Sequence, residues 1–586
     1  MAADIHRNIP DSFGCNAFRA DPAIGALLSV YLEDRHLQRA LPHIDRLGAL
    51  VGGELEALAL SADKHPPTLT IRARNGADEE RVHKHPDYQR LEHYAFGEFG
   101  LAAMSHRAGV FGADDKQPPL VKYALVFLFA QAEFGLCCPL SMTDSLTRTL
   151  VKFGSDTLVQ RYFERLTSQD MDELFQGAMF MTEQVAGSDV GAIETVARQQ
   201  DGQWRLYGDK WFCSNPDAAL AMVLARPESG GSGTRGLSLF LLPRELPDGR
   251  KNAYRILRLK DKLGTRSMAS GEILLEGAQA FLVGDPGQGF KQMTDMINMS
   301  RLANGVRSAG MMRRSVNESL FIAHHRTAFG KRLLDLPLMR RQLAKMLVTT
   351  EQARSMVFHT ARVLQAADTG DDRMARVLRI LTPLIKFRTC RDARKVAGDA
   401  MEVRGGCGYI EEWSDARVLR DAHLGSIWEG TSNIVALDVA RAARREKALE
   451  ALRDYLGELS AESGTTEQTA ATRHAFERAA AFLERTMADP EQEANVRQAA
   501  TALYNATSAS IMCWEDARLR ERSNALAGER SVLASAVVEH KLSSRDPLTG
   551  SSASDAAMSG LLERAADEAA AATAGAEPTA SMARRA

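Results

Sequence analysis

IWEGTSNI, which spans Ile427 to Ile434, places a single carboxylate, Glu429, between an aromatic residue and a glycine. Gly430 permits backbone angles that residues with a side chain avoid, and the Thr, Ser and Asn that follow it are common at the start of a helix. We therefore predict a loop end that holds a carboxylate against another group. Taken alone, these eight residues leave a second interpretation open, in which Glu429 is a solvated acid at a helix start, where the helix dipole favours negative charge.

Length and composition are typical of a large globular protein. The chain has 586 residues, too many for one compact core, so three or four structural units are expected. Its hydrophobic content is 45% and its charged content is 25%, as in soluble globular proteins. The formal net charge of −2 excludes a globally basic nucleic-acid-binding composition, although it leaves a local basic surface open.

Cysteine usage and the N-terminus favour a cytoplasmic location. The chain has seven cysteines and lacks a C-x-x-C pair or a Cys/His cluster with metal-ligand spacing, so we predict reduced thiols and no metal site. Residues 1–16 carry acids and no apolar segment of the kind found in secretory signals. Because no run of about 18 apolar residues occurs, we expect neither a transmembrane helix nor a membrane partner.

Hydrophobic periodicity divides the chain into five segments. Helical spacing dominates before residue 175, short β-rich segments with Gly, Pro, Asp and Asn follow, and long helical patterns resume at Gly289. The predicted fold is α+β and mostly α. The predicted units are an N-terminal helical domain (1–174), a middle antiparallel β domain (175–285), a helix bundle (286–445), a helical C-terminal extension (446–545) and a disordered tail rich in Ser, Ala and Gly (546–586).

Six motifs occur in a fixed order, and together they are far more specific than any one alone. They are MTEQVAGSDVGAIETVA (Met181 to Ala197), GDKWFCSN (Gly208 to Asn215), KDKLGTRSMASGEI (Lys260 to Ile273), RTAFGKRL (Arg326 to Leu333), EVRGGCGYIEEWSDARVLRD (Glu402 to Asp421) and IWEGTSNI. In this order and at these separations the motifs resemble the acyl-CoA dehydrogenase superfamily of flavoproteins, over roughly residues 85 to 445. The resemblance implies an acyl-CoA dehydrogenase-like fold and bound FAD.

The resemblance implies that the β region supplies one side of the flavin site. Met181 and Thr182 would meet the isoalloxazine, and Ser188 would lie near the pyrophosphate or the substrate thioester. Phe212 falls on a position that is aromatic in the family and would pack on the flavin, while Ser214 takes the place of the usual Thr. For the Phe212 ring alone, a place in the core of the β domain remains an open alternative.

A second set of residues resembles those that contact the ADP part of the cofactor. Arg326 and Phe329 correspond to residues that reach across a subunit interface to the diphosphate and adenine. Arg suits this role because its fork of donors binds phosphate oxygens in pairs. Gly405 and Gly406 would allow close backbone approach, and Thr431 would donate a further hydrogen bond.

The resemblance also implies an acid–base role for Glu429. In the family this acid removes the α-proton of an acyl thioester while a hydride leaves the β-carbon for flavin N5. Trp428 and Arg301 would contact the substrate, although a solvated helix face is an equally open interpretation of Arg301. A few relatives carry the base near NMSRL, where this chain has Ser300, which cannot serve as a base.

Several departures from the family pattern point to one branch. TEQ replaces the usual TEP, Trp428 replaces a Tyr, and Pro337 stands where a Gln is expected. With the helical C-terminal extension, these features resemble the AidB-like flavoproteins of the adaptive response to DNA alkylation, over about residues 8 to 540. That branch implies FAD, a homotetramer built as a dimer of dimers, weak acyl-CoA dehydrogenase activity, and binding of double-stranded DNA through the C-terminal domain.

The C-terminal region does not have the composition that DNA binding favours. Acidic residues outnumber basic ones between Arg441 and Ala586, and the best basic cluster is ARLRER at Ala517 to Arg522, which favours a solvated helix face over a binding surface. Two hypotheses therefore remain. The first is an FAD-dependent dehydrogenase of acyl-CoA, and the second is a DNA-associated flavoprotein that protects against alkylation and has weak or vestigial activity.

Overall fold

The computed structural model describes residues 9–544, 546, 548 and 553–572. In the N-terminal domain, helices pack around α5, in which every residue from Leu120 to Ala132 is buried. The elements of this domain are α1 (Pro22–Tyr31), α2 (Asp34–Gly52), α3 (Glu54–Lys64), β1 (Thr68–Arg72), β2 (Asp78–His83), α4 (Pro86–Glu92), α5 (Pro119–Ala132), α6 (Cys137–Phe153) and α7 (Asp156–Leu166).

The hairpin of β1 and β2 was not predicted within this helical domain. β2 has the sequence DEERVH, whose charged residues lack the apolar alternation that indicates a strand. Glu80 of β2 accepts hydrogen bonds from Arg244 and Arg255 of the middle domain, at 3.4 and 3.2 Å. Ion pairs, rather than buried apolar contacts, therefore connect this hairpin of the N-terminal domain to the middle domain.

The middle domain is a closed β-barrel. Its strands are β3 (Gly177–Phe180), β4 (Val196–Gln200), β5 (Gln203–Ser214), β6 (Leu220–Pro227), β7 (Ser238–Pro243), β8 (Tyr254–Leu259) and β9 (Ser270–Val283). β6 pairs with β4 and β7, which closes the ring through β5 and β9. The predicted antiparallel sheet is confirmed for most pairs, whereas β3 and β4 both run parallel to β6.

Long helices form the predicted bundle and its extension. The bundle elements are α8 (Gly289–His325), β10 (Thr327–Ala328), β11 (Lys331–Arg332), α9 (Pro337–Asp368), α10 (Asp372–Arg404), α11 (Ser414–Gly425) and α12 (Ser432–Arg445). The extension elements are α13 (Ala448–Glu462), α14 (Glu467–Ala488), α15 (Val496–Glu521), α16 (Glu529–Val537) and α17 (Ala553–Ala571). Among the described residues, no helix is long and apolar enough to cross a membrane.

The extension is joined to the bundle by a buried ionic network. Glu351 of α9 accepts hydrogen bonds from three buried arginines, Arg313, Arg354 and Arg530, which come from α8, α9 and α16. Burial alone would raise the pKa of Glu351, but these arginines outweigh it and lower the pKa to about 2. A charged carboxylate therefore connects three helices in the protein interior.

α17 corrects the prediction of a disordered tail over residues 546–586. Met558, Leu562, Ala566 and Ala569 recur every three or four residues and are all buried, so small side chains suffice to form a packed helix face against α8, α9 and α16. Arg340 of α9 also donates to the carbonyl of Ser559 at 3.0 Å. Residues 547, 549–552 and 573–586 of the predicted tail lie outside the described residues.

Candidate active site

The loop that carries Glu429 is held by two helices of the bundle. Glu429 has a φ of +49° and Gly430 has a φ of +103°, so the chain turns through left-handed backbone immediately before α12. Arg301 of α8 donates from Nε to the Glu429 carbonyl at 3.1 Å. Lys386 of α10 donates to the carbonyls of Gly425 and Gly430 at 2.7 and 3.0 Å. These bonds offset the cost of a positive φ at a residue other than glycine.

Both carboxylate oxygens of Glu429 accept hydrogen bonds from α8. The Ser300 hydroxyl donates to Oε1 at 2.8 Å, and the Asn304 side-chain amide donates to Oε2. Ser300 and Asn304 are fully buried and lie one helical turn apart. Neither contact follows from the motifs, in which Ser300 counts only as a residue that cannot be the base and Asn304 does not appear. Their i, i+4 spacing, which places both side chains on one face of α8, was the sequence feature that could have identified them.

A cavity of about 1180 Å³ opens beside Glu429, between the barrel and the bundle. It brings together four of the predicted site residues, namely Met181, Ser188, Arg301 and Glu429. Cationic side chains that sequence reasoning did not select also line it: Lys152, Lys291, Arg379, Arg441 and Arg445. Arg441 and Arg445 are spaced i, i+4 on α12, which was a usable signal for a shared face.

Arg301 is buried and fully engaged rather than part of a solvated helix face. Its Nη1 donates to Asp438 at 2.5 Å, and Asp438 also accepts from Arg379 at 2.8 Å. Burial lowers the pKa of Arg301, although the charge of Asp438 acts against this shift. Since its Nε binds the Glu429 carbonyl, Arg301 positions the loop of the predicted base in addition to lining the cavity.

Trp428 packs behind Glu429 and is not among the residues that line the cavity. Its ring is stacked on Phe134, with centroids 6.0 Å apart and planes at 21°. The guanidinium of Arg307 lies 4.4 Å from the centroid of the Trp428 ring. The ring nitrogen of Trp428 is buried and has no hydrogen-bond partner among the described residues. In this structure Trp428 therefore shapes the wall behind the carboxylate.

The barrel presents the remaining flavin-side candidates on adjoining segments. The Trp211 amide donates to the Thr182 carbonyl at 2.8 Å, and Ser214 stands in register with Ser270 of β9. Phe212 is 56% exposed, so the alternative of a barrel-core residue is wrong for its ring. Lys210, which sequence reasoning missed, donates to Glu183 at 2.7 Å, and both side chains are buried. That ion pair joins the two motifs that carry Thr182 and Phe212.

Arg326, Phe329, Gly405 and Gly406 form a second group at the far end of α8 and α10. Arg326 donates from Nη1 to the carbonyl of Arg404 at 3.0 Å. Gly405 has a φ of +77°, and a Cβ on it would lie 3.7 Å from Arg326 Nη1, whereas a Cβ on Gly406 would meet nothing within 4 Å. Phe329 is 94% exposed at the tip of the hairpin of β10 and β11. Open glycine backbone beside a guanidinium suits a phosphate group.

The residues around Glu429 form a first group, and this group cannot share one site with the second group within a single chain. α8 is continuous, so its rise separates Ser300 from His325 by about 37 Å along the helix axis. Thr431 belongs with the first group, because it follows Gly430, which Lys386 contacts. Gly405 lies about 28 Å further along α10 than Lys386. The predicted grouping of Thr431 with Gly405 and Gly406 is therefore not found within one chain.

The cysteines are free thiols, and most of them are buried. Six of the seven cysteines are buried free thiols, whereas Cys407, between Gly406 and Gly408, is partly exposed. In the part of the chain that the structure describes, no group of three or more His, Cys, Asp or Glu side chains is arranged to hold a metal ion.

The basic cluster of the C-terminal extension is neutralised by nearby acceptors. Arg518 pairs with Glu521 at 2.7 Å and donates to the carbonyl of Glu462 at 2.7 Å. Arg520 pairs with Asp516 at 2.8 Å. Because phosphate contact requires cations that are available to the ligand, this arrangement does not favour the segment as a DNA-binding surface.

Family models match three consecutive parts of the chain. Residues 8–173 match the N-terminal domain of the adaptive response protein AidB, residues 178–278 match the middle domain of acyl-CoA dehydrogenases, and residues 287–444 match their C-terminal domain. These boundaries follow the helical domain, the barrel and the bundle described above.

Individual relatives agree with the family models. A putative acyl-CoA dehydrogenase, AidB of Escherichia coli K12, is 35% identical over 414 residues, which cover 67% of this chain and 72% of the relative. Acyl-CoA dehydrogenase family member 11 of Caenorhabditis elegans is 33% identical over 441 residues, covering 73% and 70%.

A solved structure of C. elegans ACDH-11 in complex with C11-CoA superposes with a TM-score of 0.84 at 28% identity, covering 93% of this chain and 94% of that one. The fold predicted from the motif order is thus confirmed. The chain belongs to the acyl-CoA dehydrogenase family, whose members are oxidoreductases acting on CH–CH donors, and it carries an AidB-type N-terminal domain.

Proposed function

We propose that this protein is an FAD-dependent acyl-CoA dehydrogenase in which Glu429 removes the α-proton of an acyl thioester. The observation that carries the proposal is a carboxylate that opens on a cavity of about 1180 Å³ while both of its oxygens are anchored to α8. When bound, FAD supplies the acceptor for the hydride that leaves the β-carbon. The chain therefore has to provide only one base, and that base must point at the α-carbon of the substrate.

Glu429 keeps the capacity to accept a proton after its two hydrogen bonds. An ionised carboxylate has about four lone-pair sites, so one donor on each oxygen leaves a free site on each. The bonds from Arg301 and Lys386 to the loop backbone fix the position of the carboxylate, and those from Ser300 and Asn304 fix its rotation. Such preorganisation reduces the reorganisation needed when the proton moves.

Residues on the barrel and residues at the far end of α8 and α10 each fit one part of a flavin dinucleotide. Met181, Thr182, Phe212 and Ser214 lie on the barrel, and the exposed ring of Phe212 is free to pack on a planar group. Arg326 and the open backbone of Gly405 and Gly406 suit the pyrophosphate, with Phe329 beside them.

The cofactor site is shared between two copies of the chain. The length of α8 separates the two groups of candidate residues, and Phe329 is almost fully exposed in the single chain. Each copy would therefore contribute Arg326, Phe329, Gly405 and Gly406 to a neighbour's flavin. A homotetramer arranged as a dimer of dimers provides such pairs.

A coenzyme A thioester is the substrate class that the cavity favours. Lys291 and Arg445 supply cations along a cavity that Glu429 also lines, whereas Lys152, Arg379 and Arg441 pair with Asp295 and Asp438. The phosphates of coenzyme A are suitable partners for such side chains. The complex of ACDH-11 with C11-CoA is a precedent in a relative of the same fold.

Anaerobic titration of the FAD-bound protein with acyl-CoAs of different length and branching tests the proposal. We expect one class of thioester to bleach the flavin absorbance, with the enoyl thioester as product. If FAD is bound and no thioester bleaches it, the dehydrogenase proposal fails. That result would favour the DNA-associated hypothesis, for which salt-dependent binding to double-stranded DNA is the direct assay.

A further inference from the structure

A single side-chain amide connects the proposed base to a buried cation. Asn304 donates from Nδ2 to Glu429 Oε2, and its Oδ1 accepts from Arg307 Nε at 3.0 Å. The two neighbours fix the orientation of the amide. If it were flipped, its oxygen would face the carboxylate and its NH₂ group would face the guanidinium N–H, so both hydrogen bonds would be lost.

Arg307 is a fully buried cation next to the proposed base. Its side chain has 0% exposure, and neither Nη1 nor Nη2 has a hydrogen-bond partner among the described residues. The guanidinium lies against two rings, 4.4 Å from the Trp428 centroid and 5.2 Å from the Phe134 centroid. Burial of an unpaired charge is unfavourable in free energy, so the Arg307 cation needs favourable electrostatic contacts. Its contacts with the two rings offset only part of that free energy. The nearest compensating anion along the hydrogen-bond chain is Glu429.

We propose that Asn304 and Arg307 are positioning residues that hold the Glu429 carboxylate aimed at the substrate, an inference that rests on the proposed role of Glu429 as the base. The proton moves from the α-carbon to the carboxylate, and the C–H electron pair forms the new C=C bond, while bound FAD would supply the acceptor for the hydride of the β-carbon. Asn304 places the positive charge of Arg307 one amide away from the carboxylate and fixes the orientation of the carboxylate before the transfer.

The other ionisable groups around Glu429 do not replace Arg307. Arg301 and Lys386 bind backbone carbonyls of the loop and not the carboxylate. Cys138 of α6 and Cys390 of α10 also face this region. Burial raises the pKa of Cys138 to about 11 and raises that of Cys390 as well, so both thiols are neutral near pH 7. Removal of Arg307 or Asn304 should thus alter the pH dependence of proton removal from the substrate.

The test is the pH profile of flavin reduction by an acyl-CoA that bleaches the wild-type protein. For Asn304→Leu and Arg307→Met we expect the acidic limb to move up by about one pH unit, which means about a tenfold lower rate on that limb. The rate should recover at high pH, because the base remains present. Ser315→Ala, a buried change two turns beyond Arg307 on the same helix, is the matched control and should keep the wild-type profile.

The outcomes separate this inference from the proposed function. If no acyl-CoA reduces the wild-type flavin, the proposed function itself fails. If the wild type is reduced and both variants lose rate equally at every pH, or keep the wild-type profile, the positioning role is overturned.

A second measurement avoids turnover and covers a failure to fold. The pH midpoint for proton removal from a 3-thia-acyl-CoA, followed by flavin absorbance, should rise in both variants. Because Asn304→Leu strands the Arg307 cation, that single variant could unfold. The double variant Asn304→Leu/Arg307→Met removes the cation as well and must then show the shifted midpoint. An unshifted midpoint in a folded double variant would refute the inference.

Discussion

The Arg326 guanidinium donates to the main-chain carbonyl of Arg404 at 3.0 Å, at the residue where α10 ends. This bond connects the hairpin after α8 to the glycine turn after α10. Arg404 is itself fixed, because its buried side chain donates to Glu318 and Asp415 at 2.6 Å each. The hairpin and the glycine turn are therefore held as one surface, on which Arg326 keeps further donors available.

Arg326→Ala should weaken FAD binding while leaving the chain folded. The variant removes the guanidinium beside Gly405 and Gly406, and a charge-assisted phosphate contact contributes about 1.5–3 kcal/mol, so affinity should fall about tenfold or more. FAD released on gel filtration is the measurement. Arg332→Ala is the matched control, since Arg332 lies in the same hairpin but pairs with Asp335 at 2.8 Å. Retention of stoichiometric FAD by Arg326→Ala would contradict the assignment.

Glu429→Gln should abolish reduction of the flavin by acyl-CoA without loss of fold or FAD. Glutamine can retain one hydrogen bond to α8 but cannot accept the α-proton, so the rate should fall by at least about 10²-fold. Stopped-flow absorbance under anaerobic conditions measures this rate. Asp285→Asn changes another carboxylate of the same cavity and should retain activity. An active Glu429→Gln variant would exclude Glu429 as the base.

Glu351→Gln should destabilise the junction between the bundle and the C-terminal extension. It leaves Arg313, Arg354 and Arg530 buried without their shared counter-charge, and breaking a buried ion pair costs about 3–5 kcal/mol. Urea unfolding gives the free energy change, and hydrogen exchange should show the loss of protection around α16. Glu458→Gln, which breaks an exposed pair with Arg373, should cost less than about 1 kcal/mol.

Asp421 should make the protein less stable as the pH rises. Burial and the charge of Glu133 raise the pKa of Asp421 from 3.8 to about 7, although Arg417 acts against the shift. The folded state therefore binds the extra proton between about pH 4 and pH 7, and the free energy of unfolding falls through that window. Asp421→Asn should remove this slope and gain up to about 4 kcal/mol at pH 8 relative to pH 4.

Asp144 provides the control of opposite sign for that measurement. Burial would raise the pKa of Asp144, but Lys122 and His106 outweigh it and hold the pKa well below its usual value. Its contribution to stability is thus present at neutral pH and is lost as the pH falls. Asp421→Asn should change the pH dependence of the melting temperature between about pH 4 and pH 7, whereas Asp144→Asn should change it, in the opposite direction, only below about pH 4. A common trend in the two would argue against the role of Asp421.

Much of the fold and part of the site could be predicted from sequence, because they rest on motifs with fixed local chemistry. Gly430 next to Glu429 predicted a special loop, and the structure places a left-handed turn there. The order of the six motifs predicted a helical domain, a middle β domain and a helix bundle in succession, which the family models and the superposition confirm.

The remaining features depend on contacts between segments that are distant in sequence. Asn304 and Arg307 lie on a helix whose composition is ordinary, and only the return of the chain at Glu429 gives them a partner. Likewise, the small residues of α17 indicate disorder by composition, yet α8 and α9 provide a surface that they fit. Side-chain spacing shows that residues share a face, but it does not show what that face meets.

Cys407 has a practical consequence for work on this protein. It is the most accessible of the seven thiols and lies between two glycines in the turn beside Arg326. A bulky maleimide should therefore react first at this position. If the neighbouring copy's dinucleotide covers the turn, labelling should slow when the flavin is loaded and quicken when it is stripped. The native chain would then contain its own chemical reporter of cofactor occupancy.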